Sequence, residues 1–227
     1  MNKTTGLPDG VTCAIFDLDG TLLDSLGIWA EIDGIFLGAR GIAVPEDYEE
    51  CIGHIGARAA AEYTIARFSL DETVDKVLSE WKSLADEIYP QKVRLKPYAG
   101  QALHFLYDQG FRLCIATAGS PELFLPVLQR EGVDTLFEGY TTLSEVARGK
   151  EFPDIFLRAA SKLGASPSEC CVFEDNYTAL CAARNGGFHT IAVYDPIRGS
   201  QKARIAAAAD LLIEDFSALL PGPSFRL

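Results

Sequence analysis

Val11-Thr12-Cys13-Ala14-Ile15-Phe16 runs straight into Asp17-Leu18-Asp19-Gly20-Thr21-Leu22-Leu23-Asp24-Ser25, and this junction decides the fold. The first six residues are short, apolar and β-branched at several places. A run of that kind stopped by a turn signal is a buried parallel strand ending in a loop. Two carboxylates two residues apart at the end of a buried strand are costly unless a cation or a substrate pairs with them. A turn whose Asp and Gly cap the next helix accounts for the same residues, so the junction by itself leaves both readings open.

The same grammar repeats along the chain. A strand at 111–116 is followed by Thr117-Ala118-Gly119-Ser120, one at 170–173 by Glu174-Asp175-Asn176, and one at 189–194 by Asp195-Pro196. A weaker run lies at 139–143, and 211–213 reads as an edge strand. Helical stretches at 100–109, 121–130, 154–163 and 177–184 lie between them and stop at or just before glycines, or at Asn185-Gly186-Gly187. Alternating strands and helices predict an α/β fold, a doubly wound parallel sheet with a Rossmann-like core. Ligands of such sheets sit at the carboxyl ends of the strands, where the polar residues just quoted fall. From about Ile28 to Val93 no strand pattern appears. Trp29, Ile32, Phe36 and Leu37, and then Val74, Val77, Leu78 and Trp81, recur at helical spacing. An all-helical unit inserted after the first strand is predicted, dividing the chain into a core of 1–25 and 96–227 and an insert of 26–95.

Composition limits what such a domain does. The 227 residues are 48% hydrophobic and 23% charged, ordinary globular usage. With 20 basic and 32 acidic residues the formal charge is −12, the opposite of a nucleic-acid-binding footprint. A small anionic substrate is still compatible, because a local site can be positive on a negative protein. The six cysteines form no C-x-x-C pair, so reduced, mostly buried thiols in a cytoplasmic protein are expected. The stretch 1–10 is polar, and the apolar tract at 205–213 is short and broken by Asp210. No signal peptide, membrane span or membrane partner is expected. A monomer or weak dimer is expected.

Asp17-Leu18-Asp19-Gly20-Thr21-Leu22-Leu23-Asp24-Ser25 resembles motif I of the haloacid dehalogenase-like hydrolase superfamily. Ile115-Ala116-Thr117-Ala118-Gly119 resembles motif II. Gly149-Lys150-Glu151-Phe152-Pro153-Asp154 resembles motif III of the β-phosphoglucomutase-like branch, and Val172-Phe173-Glu174-Asp175-Asn176 resembles motif IV. The four follow in family order over nearly the whole chain.

The resemblance implies a Mg²⁺-dependent phosphatase acting on a small phosphorylated metabolite, a sugar phosphate among the candidates. It implies Asp17 as nucleophile, forming an aspartyl-phosphate, and Asp19 as general acid and then base. Thr117 and Ala118 would hold the transferring phosphoryl group, and Lys150 would offset its charge. Mg²⁺ would be held by Asp17 and Asp175 through their side chains, by Asp19 through its backbone carbonyl and by Glu174 in a close or outer shell. The helical insert becomes a cap that closes over the site, with Gly53, His54 and Arg58 as substrate contacts. Sugar-phosphate mutases of this branch are the first alternative, and a non-catalytic binding protein on the same fold is the second. The mutases carry Lys, Arg and His where this chain has Ile52, Gly56 and Trp29. Motif IV also departs, with Asn176 and Ala179 where serine and glycine are usual, so altered packing is expected there.

Overall fold

The computed structural model describes residues 6–53 and 55–221. In chain order they form β1 (Cys13–Phe16), β2 (Leu23–Asp24), α1 (Leu26–Gly38), α2 (Tyr48–Ile52), α3 (Ala57–Phe68), α4 (Val74–Lys92) and β3 (Arg94–Leu95). There follow α5 (Ala99–Asp108), β4 (Arg112–Thr117), α6 (Pro121–Arg130), β5 (Phe137–Thr142), α7 (Asp154–Lys162), β6 (Cys170–Glu174), α8 (Tyr177–Asn185), β7 (His189–Val193), α9 (Lys202–Ala208) and β8 (Leu211–Ile213). The six longer strands pair in the order β5-β4-β1-β6-β7-β8, every pair parallel. The fold is therefore the α/β sheet with a helical insertion that the alternation predicted.

The pleat sorts the core into two layers. In β1, Ala14 and Phe16 face one side and Cys13 and Ile15 the other. The first pair joins Leu113, Ile115, Cys171 and Phe173 beneath α5 and α6. The second joins Cys114, Ala116, Cys170 and Val172 beneath α7 and α8. Because helices cover both faces, the inner strands read as near-continuous apolar runs instead of alternating. Phe16 stacks on Phe173 of the neighbouring strand, with centroids 4.4 Å apart. Four of the six cysteines sit in these strands, buried, and all six are free thiols.

The insertion has a core of its own, with Phe36, Leu37, Tyr48, Ala61 and Val77 buried among α1 to α4. Its two joints, which the sequence shows only as a change of pattern, pair with each other. Leu23 lies opposite Leu95 and Asp24 opposite Arg94 in the antiparallel ribbon β2/β3. Two-residue strands carry no readable periodicity, and their existence depends on the ends of a long insertion meeting. No helix among the described residues is long and apolar enough to cross a membrane.

Gly20 makes the turn after β1 possible. Its φ is +83°, and the turn is closed by Thr21 and Leu23 N–H groups donating to the Leu18 carbonyl at 3.1 and 2.8 Å. A Cβ here would lie 2.5 Å from Asp175 Oδ2 and 3.0 Å from Leu26 Cδ1. Gly20→Ala is expected to cost about 1–3 kcal/mol of stability, from backbone strain and the displaced Asp175. Urea denaturation at neutral pH measures it, and an unchanged midpoint would contradict the strain assigned to this turn.

Candidate active site

Strand order places the site. The chain fills the sheet on one side of β1 with β4 and β5, then on the other with β6, β7 and β8. The crevice at the carboxyl end of β1 is therefore the topological switch point, where ligands of such sheets bind. Asp17 and Asp19 leave β1 there, Thr117 ends β4, and Glu174 ends β6 with Asp175 next to it. Lys150 reaches the same place from the segment before α7.

These groups are buried and hold one another. Lys150 Nζ donates to Asp17 Oδ1 and, at 2.7 Å, to Glu174 Oε1. The other Glu174 oxygen accepts the backbone N–H groups of Asp175 and Asn176, both at 2.9 Å. Burial pushes the Asp17 carboxyl well up; Lys150 opposes this, while Glu174 and Asp175 add to it. Burial pulls Lys150 down, but Asp17 and Glu174 outweigh it and keep its ammonium charged. Thr117 is fully buried, and its Oγ1 accepts the Gly119 N–H at 3.0 Å, leaving its own hydroxyl proton to donate.

Ligand oxygens of Asp17, Glu174 and Asp175 lie within 4.8 Å of one another. Such an all-oxygen set suits a hard cation. Asp175 accepts from Thr21 Oγ1 at 3.2 Å and from Arg198 Nε. Glu174, like Asp175, is engaged on both oxygens, and it holds Lys150 and the loop after β6.

Asp19 is held from the insertion. Its Oδ1 accepts Trp29 Nε1 from α1 at 2.9 Å and the Tyr89 hydroxyl from α4 at 2.8 Å. Burial and the neighbouring Asp19 push Tyr89 well up, so it stays a donor. Trp29, a departure from the mutase pattern, is thus a ligand of Asp19. Asn176, the motif IV departure, caps α8, accepting Thr178 and Ala179 N–H groups at 2.9 and 3.2 Å.

A cavity of about 420 Å³ opens from these carboxylates into the insertion. Gly53 and Ala118 line it. Gly53 lacks a side chain where a Cβ would stand 2.5 Å from Glu49 Oε1. His54 lies outside the described residues. Arg58 is not brought to the site: its side chain is 64% exposed and pairs with Asp75 at 2.9 Å on the surface. The physical reason is helix direction, since Arg58, the second residue of α3, lies on the face turned away from the cavity wall that Ala57 and Ala60 form.

Sequence reading missed Arg198 and Glu49. Arg198, 4% exposed, grips Asp175 and also Glu49 of α2, through both terminal nitrogens at 2.7 and 2.8 Å. Its one signal was position, just beyond the carboxyl end of β7. Asp33 of α1 was missed too. It lines the cavity, and burial, with Glu49 adding, pushes its carboxyl up to about 7.

The model of haloacid dehalogenase-like hydrolases matches residues 11–187. A probable pseudouridine-5'-phosphatase of Drosophila melanogaster is 28% identical over 212 residues, covering 91% of each chain. The crystal structure of a hydrolase from Pseudomonas syringae, 28% identical, superposes with a TM-score of 0.75 over 92% of this chain and 96% of its own. A β-phosphoglucomutase from Clostridium difficile shares the fold at 19% identity, with a TM-score of 0.76 over 92% and 93%.

Asp33 generates a pH prediction. Its carboxyl binds a proton more tightly in the folded chain, about 7 against an ordinary 3.8. Its contribution to stability is therefore greatest below the ordinary value, falls as pH rises towards 7, and is flat above. Asp33→Asn removes that cost, so the variant should gain up to about 4 kcal/mol on the wild type between acid and mildly alkaline pH. Urea denaturation of both at about pH 4 and pH 8 checks it, and a difference independent of pH would refute it.

Proposed function

The chain belongs to the haloacid dehalogenase-like hydrolase family, and from that premise we propose that it is a Mg²⁺-dependent phosphatase of small phosphomonoesters. The observation that carries this reading is the buried Asp17–Lys150–Glu174 cluster beside Asp175, at the switch point of the sheet. Asp17 and Asp175 side chains, with the Asp19 carbonyl, would hold the cation, with Glu174 in a close or outer shell and also fixing Lys150 and the loop. The cation, when bound, supplies positive charge that lets the anionic ester approach buried carboxylates.

Each side chain then has one task. Asp17 attacks phosphorus and carries the phosphoryl group, splitting one transfer into two easier ones. Lys150 remains charged and offsets negative charge beside the reacting oxygens. Thr117 donates its free hydroxyl proton to a phosphoryl oxygen, with N–H groups of the Ala118–Gly119 turn alongside. Asp19 protonates the departing alcohol and later takes a proton from the attacking water. Trp29 and Tyr89 hold one Asp19 oxygen and leave the other to act. We read 26–95 as the cap and the rest as the core, and the protein as cytoplasmic, which its free thiols support. Hydrolysis is favoured over isomerisation because Ile52 and Gly56 offer no charged grip for a second phosphate.

Three outcomes are expected. Hydrolysis of an aryl phosphate requires Mg²⁺ and stops on chelation. Asp17→Asn abolishes turnover, and Asp19→Asn lowers it about a hundred- to ten-thousand-fold while the circular dichroism stays unchanged. Tyr89→Phe, which frees one bond on Asp19, lowers kcat several-fold (about 1 kcal/mol) with little change in KM. Full activity without metal, or near-normal turnover in Asp17→Asn, would defeat the assignment. Conversion of a hexose 1-phosphate to its 6-phosphate without phosphate release would favour the mutase.

A further inference from the structure

We propose that Asp33 reads the leaving group, so that the cavity selects monophosphate esters whose alcohol carries a hydrogen-bond donor and no second negative charge. This rests on the phosphatase reading above and adds the substrate class.

The wall that the insertion gives the cavity is largely apolar. Trp29, Ile32, Ile52, Leu78, Trp81 and Ala85 line it, and apolar walls with a few placed polar groups are the usual architecture of a small-molecule site. Asp33 stands among them at 8% exposure. Every other carboxylate on the cavity wall has a protein partner. Asp17 and Glu174 hold Lys150, Asp175 and Glu49 hold Arg198, and Asp19 holds Trp29 and Tyr89. Asp86 pairs with Lys82 one helical turn away. Asp33 alone has no hydrogen bond or ion pair among the described residues.

Its oxygens are not among the sealed buried atoms that lack a hydrogen bond, so the carboxyl opens on the cavity with its hydrogen-bonding capacity unmet by the described residues. Here the carboxyl faces a cavity large enough for a ligand, so the missing partner is supplied by the ligand. In either protonation state a carboxyl oxygen accepts, so the complementary group is a donor, a hydroxyl or an amine.

Charge sets the exclusion. The cations on the cavity wall among the described residues are Lys150, Arg198 and Lys82, each already paired with a carboxylate. Lys150 and Arg198 also lie at the phosphate end. A second phosphate or carboxylate reaching the insertion would meet Asp33, Glu49 and Asp86, with no free positive group among the described residues to receive it. That is discrimination by repulsion as well as by fit.

The test uses the full-length enzyme with Mg²⁺ and three esters sharing one leaving oxygen: phenyl phosphate, its meta-hydroxymethyl derivative and its meta-carboxy derivative. The expected order of kcat/KM is hydroxymethyl, then phenyl, then carboxy, with about tenfold or more between the extremes. In Asp33→Leu the ratio of hydroxymethyl to phenyl should fall about tenfold, mainly through KM. Asp33→Asn keeps an acceptor and loses the charge. It should retain the hydroxymethyl preference and relax the discrimination against the carboxy ester several-fold. A merely structural role would lower all three esters in proportion, and that result, or a wild-type preference for the carboxy ester, overturns the inference alone. Absence of hydrolysis of all three, phenyl phosphate included, overturns the phosphatase reading and this inference with it. If Asp33→Leu does not fold, the wild-type ranking and Asp33→Asn decide.

Discussion

One buried ammonium organises the catalytic end of this molecule. Lys150 lies between Asp17, which leaves β1, and Glu174, which ends β6. Without it, two adjacent parallel strands would deliver carboxylates into the same low-dielectric crevice, where like charges repel and neither is solvated. With it, the carboxylates are held close enough to act together. Glu174 is fixed further by two backbone N–H groups, which also set the path of the chain into α8. The cost of burying Lys150 is met because both partners are at hydrogen-bond distance, the condition under which a buried ion pair survives.

The second constraint joins the insertion to the sheet. Trp29 and Tyr89, from α1 and α4, both donate to Asp19 of the core. Arg198 of the core bonds Asp175 and Glu49 of α2. The ribbon β2/β3 ties the two joints of the insertion together. Two carboxylates of the core, Asp19 and Asp175, thus have their surroundings completed by or through the insertion. In a fold where the same core serves many substrates, this gives the insertion a part in positioning the chemistry as well as in shaping the cavity. The mutase-like positions illustrate the point: Trp29 stands where a cationic contact is usual and instead donates to Asp19.

Legibility in the sequence followed the range of the forces involved. Buried parallel strands show themselves as apolar runs because both faces are covered, and β4, β6 and β7 lie within a residue of the expected stretches, as α5, α6, α7 and α8 do. The weak run at 139–143 belongs to β5, whose exposed edge residues Glu138 and Tyr140 dilute the apolar signal. The strand-end polar residues were legible because they recur directly after apolar runs, although an acid there can also serve as a cap, as Asp195 does for the turn after β7. Arg58 misled because a basic residue at the start of a helix in the insert looks alike whether it faces a cavity or solvent. Only the packing of α3 separates the two.

From its sequence alone, this chain determined the order of strands and helices, the point of insertion, and the polar residues at the strand ends that converge on the site. Those are local properties: periodicity, turn chemistry, and residues tied to the end of a strand. Tertiary structure alone decided what each group touches. Arg198 meets Glu49 across 149 positions of chain, and Tyr89 meets Asp19 across 70. Asp33 became a buried carboxyl without a hydrogen bond or ion pair among the described residues, although on a helical wheel it is one more acidic residue. Pairing at such separations leaves no periodic trace, because it depends on where the sheet and the inserted helices come to rest against each other.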